Sequence, residues 1–159
     1  MAEYVFESKP AIIEQSRSTI LRVAVVGAVV GVGTWMLAYM LQRFVISALF
    51  CSGESVCDKS IVYSGAIALI IVSVMGVVAL VRSSVYRPLL IALGAVISLW
   101  GISGWISGLT ILEQVGWMAL LFALAYSAYG WLARIRNVPI MLISVVILMI
   151  ATRFIPAII

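Results

Sequence analysis

With 159 residues, 65% of them apolar and only 10% charged, the chain lacks the polar surface of a water-soluble domain, where about 25% of residues are charged. That length leaves no room for a soluble catalytic domain beside several membrane spans, and the lack of histidine removes the commonest metal ligand, general base and haem ligand. The net charge of +4 comes from basic residues placed between apolar runs, which suits topology signals better than a nucleic-acid surface.

Residues 1–22 form the longest polar stretch. Lys9-Pro10 suits the start of a short helix, and Ile12, Ile13, Ile20 and Leu21 suit a membrane interface as well as an ordinary polar lead-in. Glu3, Glu7 and Glu14, with no small-residue cleavage site after the apolar run, argue against a cleaved signal peptide. Span one is expected over about 23–50, where Gly27 and Gly31 make a GxxxG pair suited to close helix packing. The connection from Cys51 to Ser60 is turn-rich, and span two follows over 61–81.

Pro88 opens the third apolar run, whose residues 89–112 carry no charge and would make about 36 Å of continuous helix, enough for a hydrocarbon core of about 30 Å. Gly94, Ser98, Gly101, Gly104 and Gly108 recur every three or four residues there, so a continuous helix would collect them on one side. That stripe suggests the central helix of a bundle. Only Glu113 and Gln114 separate it from span four, 115–133, which ends among Tyr126, Tyr129 and Trp131. Asn137-Val138-Pro139 is a helix start, and span five is expected over 138–158.

The expected fold is therefore all-α: a polytopic membrane helical bundle of five transmembrane helices, with four as the alternative if one run is interfacial or re-entrant. A cytoplasmic segment, 1–22, precedes a single bundle over 23–159. With five spans, Lys9, Arg17, Arg22, Arg82, Arg87, Arg134 and Arg136 fall on one side, against Arg43, Lys59 and Arg153 on the other. This asymmetry predicts an N-terminus inside, with the C-terminus and the 51–60 loop outside, in the plasma (inner) membrane.

Chemistry-bearing residues are few. Cys51 and Cys57 share the expected outer loop, where a structural disulfide is the first reading, and two free thiols or a redox-active pair are the alternatives. Their spacing is wider than the C-x-x-C of catalytic dithiols. Arg43 and Arg153 suit the outer interface, either snorkelling or pairing with Glu113. No span contains an internal Asp, Glu or Lys, which argues against proton-coupled transport. No catalytic residue, cofactor or metal site is expected. The leading functional expectation is a non-enzymatic accessory or structural subunit that contacts the lipid bilayer and other membrane proteins or itself. A small uncoupled transporter or channel, and a thiol-redox membrane enzyme using Cys51 and Cys57, are the alternatives. No nucleic acid or soluble substrate is implied.

Overall fold

The computed structural model of the protein describes residues 17–46 and 60–158, and all regular structure among them is helical. Helix α1 spans Arg17–Met40 and widens into a π-helical stretch, Leu41–Ile46. Helix α2 is Ser60–Arg82, α3 Pro88–Ser98, α4 Ile102–Ile106, α5 Ile111–Leu132 and α6 Val138–Ile158. Three stretches are long and apolar enough to cross a membrane: Ser18–Ile46, Ser60–Arg82 and Ile111–Leu132. The other expected spans correspond to shorter apolar helices, over Pro88–Ser98 and Val138–Thr152.

The helices are apolar on nearly every face, so burial is divided by side-chain size. On α1 the buried stripe is Val23, Gly27, Val30, Gly31, Thr34 and Ala38, a helical periodicity dominated by small residues. On α5 the facing stripe carries large ones: Met118, Phe122, Tyr126 and Tyr129. Small against large lets the two backbones approach closely. A Cβ on Gly27 would stand 2.7 Å from the Phe122 carbonyl oxygen, and one on Gly31 would stand 2.9 Å from the Met118 carbonyl carbon. Those separations are well inside van der Waals contact, so only glycine fits at this seam.

The large α5 side chains then organise the remaining helices. Tyr126 is fully buried where α1 and α2 meet, its hydroxyl set against Gly76 of α2, which Val30 of α1 also faces. Tyr129 lies over Gly94 of α3, and its hydroxyl hydrogen-bonds with Ser98. At that end of the bundle Gly130 of α5 also meets Val23 of α1 and Ile91 of α3. Outward-facing side chains remain apolar, including Val29, Met36, Val74, Met75, Leu93, Leu124 and Ile147. A surface of that kind is at home in hydrocarbon, where neighbouring lipid replaces water as solvent.

The third apolar run departs from the expectation of one continuous helix. Helix α3 stops at Ser98, and Gly101 adopts φ +86°, a left-handed conformation that breaks the helical path. Helix α4 is only five residues long, and the chain turns again before α5. The stripe from Gly94 to Gly108 is consequently not one helix face. Its first two members pack on α5, Gly101 supplies backbone freedom, Gly104 makes only ordinary contact with Val62, and Gly108 sits in open space. The central pair of the bundle is α1 with α5.

Glu113 and Gln114 do not form the connection between spans. Helix α5 begins at Ile111, ahead of both, because Thr110 and Glu113 form a capping box. The Thr110 backbone N–H donates to Glu113 Oε2 at 3.0 Å, and its hydroxyl also contacts that oxygen at 2.9 Å. With the Glu113 backbone N–H donating to the Thr110 side chain in return, the box satisfies two amides at the helix start.

Candidate functional site: an uncharged cleft at one end of the bundle

The chain breaks around α4 bring uncharged polar residues together at the end where α1 finishes and α2 begins. A cleft of about 220 Å³ opens there. Its polar lining comes from Gln42 in the π-helical stretch, Ser64 of α2, Ser103 and Ser107 around α4, and Gln114 of α5. Ile61, Ile106, Ile111 and Met118 supply apolar parts of the wall.

One aromatic wall belongs to α1. Trp35 and Tyr39 are one helical turn apart and stack with ring centroids 5.7 Å apart and planes 14° from parallel. Gln114 fixes the Trp35 edge, because its Oε1 accepts the indole Nε1–H at 3.0 Å. The indole can only donate, which sets the orientation of the carboxamide. Gln114 Nε2 then donates to the Leu109 carbonyl at 2.9 Å and more weakly to that of Ser107 at 3.4 Å. A single side chain thus ties α1 to the turn between α4 and α5.

Other polar groups divide into occupied and open ones. The Ser64 hydroxyl donates to the Ile61 carbonyl at 3.0 Å. At the rim, Arg43 donates to the Tyr39 hydroxyl at 3.0 Å. Gln42 and Ser103 have no hydrogen-bonding partner among the described residues, although both line the cleft. Ser103 rests against Gly65 of α2, where a Cβ would collide with its side chain. No charged side chain lines the cleft among the described residues.

A second groove, about 410 Å³ and almost wholly apolar, lies on the outside of the α3–α4 corner. Trp100, Trp105 and Trp117 line it with Leu121 of α5 and Thr152 of α6.

The residues singled out from sequence occupy separate places. Gly27 and Gly31 lie in the α1–α5 seam, Gly94 and Ser98 against Tyr129, and Gly101, Gly104 and Gly108 around the chain breaks. Arg43 stands at the cleft rim, and Glu113 caps its own helix. Arg153 falls within α6, but its side chain lies outside the described residues, as do Cys51 and Cys57 altogether. Among the described residues no group of three or more His, Cys, Asp or Glu side chains could hold a metal ion.

Sequence reasoning missed the Trp35–Gln114 tie and the gathering of Gln42, Ser64 and Ser103. One signal was available: Thr110-Ile-Leu-Glu113 before an apolar run has the capping-box spacing, which would have started α5 earlier. No protein-family model, curated protein or solved structure matches this chain.

Proposed function

We propose that this protein is a five-pass integral membrane protein serving as a non-enzymatic accessory or structural subunit of a membrane complex. The N-terminus lies in the cytoplasm and the C-terminus outside, following the seven-to-three division of basic residues. Helices α3 and α4 together make the third crossing, and α6 makes the fifth. The observation that carries the structural role is how the interior is filled. Met118, Phe122, Tyr126 and Tyr129 close the space between helices, with the α1 glycines pressed onto them. Such a close-packed interior favours a rigid scaffold over a conducting path, which needs polar groups along its length.

The test is the size of the epitope-tagged chain released from native membranes in mild detergent. A species much larger than the purified chain is expected, and migration of the native material as the isolated chain would overturn the subunit reading. Topology is tested separately with single cysteines in the 82–88 and 134–137 loops, in a background lacking Cys51 and Cys57. Both loops should resist an impermeant thiol reagent in intact cells, and strong labelling of both would reverse the orientation.

A small uncoupled transporter is the second reading. The cleft favours it, because four separate chain segments contribute uncharged polar groups to one place. Flux of a neutral solute into proteoliposomes, above that of empty vesicles, would select this reading.

A further inference from the structure

We propose that the cleft beside Trp35 and Tyr39 is a binding site for a neutral, flat organic molecule built on a single ring and carrying a hydrogen-bonding edge. This goes beyond the scaffold role and does not rest on it. Four features define the ligand class. Trp35 and Tyr39 stack on one another and both line the cleft, so a flat ring can extend the stack, because aromatic faces prefer offset stacking with other flat rings. The wall is held in place, since Gln114 fixes the indole edge. Gln42 offers a carbonyl oxygen and an amide donor, and Ser103 a hydroxyl, all without partners among the described residues. No lining residue is charged, and the rim cation Arg43 already donates to the Tyr39 hydroxyl, so an ionised ligand would lose hydration on entry without meeting a charge inside the cleft.

The volume of the cleft suits one ring. An apolar cavity of about 150 Å³ takes up benzene. The cleft, at about 220 Å³, has room for a single substituted ring. Its walls come from α1, α2, α5 and the α4 corner, so a bound ring would touch four separate parts of the chain. Unpaired polar groups in such a place recognise a matching edge more strongly than they would in water, because the competing solvent is partly excluded.

The probe is 4-fluorobenzamide, and the readout is broadening of its fluorine NMR line by the full-length protein in lipid nanodiscs, with empty nanodiscs as baseline. Saturable broadening is expected, with 4-fluorobenzoate binding far more weakly because it is charged. Gln42→Leu and Ser103→Ala should each weaken binding roughly three- to tenfold, the worth of one hydrogen bond. Trp105→Phe, which alters the outer groove, should leave it unchanged. Cyclohexanecarboxamide keeps the amide but lacks the flat ring, and should compete roughly two- to tenfold less well than benzamide. That comparison uses only the parent protein, so it remains decisive if a variant fails to fold. No broadening beyond the empty nanodisc, equal binding of the benzoate, or equal competition by both amides would overturn the proposal. Unchanged binding by a folded Gln42→Leu, Ser103→Ala double variant would do so too.

Discussion

Replacing Gly31 by alanine tests the α1–α5 seam most directly. The added methyl would meet the Met118 carbonyl, with its carbon at 2.9 Å and the Phe122 Cβ at 3.0 Å. Carbon atoms pack best at about 3.5–4.0 Å, so the seam would have to open by roughly 0.5–1 Å. Backbone atoms of a packed helix cannot swing aside as a side-chain tip can, so that opening is shared by many contacts along α1 and α5. A radial gap of this size forfeits about a quarter to a half of each affected contact, and overpacking of this kind costs about 1–3 kcal/mol. Alanine also favours helix over glycine by about 1 kcal/mol, which would mask part of the loss. Gly116→Ala removes that ambiguity. Gly116 is an exposed position on α5, a methyl there meets nothing within 4 Å, and it receives the same propensity gain. The difference between the two variants therefore isolates the steric term. Unfolding free energies from titration with a denaturing detergent, followed by circular dichroism, should place Gly31→Ala about 1–3 kcal/mol below Gly116→Ala. Equal stability of the two, or the reverse order, would refute a glycine-dependent seam.

Gln114→Leu should destabilise by about 1–3 kcal/mol, because it strands the Trp35 indole N–H and frees the 107–109 turn, and a double-mutant cycle with Trp35→Phe should show strong coupling in thermal unfolding. The two buried tyrosines should respond differently. Tyr126→Phe removes a buried hydroxyl with no partner among the described residues and should leave stability equal or higher, whereas Tyr129→Phe loses the Ser98 bond and should lower the midpoint of thermal unfolding. Gly101→Ala should cost about 1–2 kcal/mol in the same assay, although the methyl meets nothing, because φ +86° disfavours an L side chain. Cys51 and Cys57 are expected to be joined to each other in the native membrane, so a mass-tagging thiol reagent should add two tags only after reduction.

Helical class, the apolar runs and the charged connections are legible in the chain itself, because length, hydropathy and charge placement are local properties. The Ser60 start and Arg82 end of α2 fall close to the edges of its uncharged run. The use made of each glycine is not legible in this way. A missing Cβ permits either a close approach, as at Gly27 and Gly31, or a left-handed turn, as at Gly101, and the residue letter is identical in both cases. Only the packed structure separates them, since the first requires an opposing backbone and the second a change of chain direction. The cleft depends on the same information. Trp35 and Gln114 are 79 positions apart, and they meet because the α1–α5 seam closes and the broken third run returns the chain to the end of α1. Local patterns determine which segments become helices here, and side-chain sizes across the α1–α5 contact decide which of their polar residues share a site.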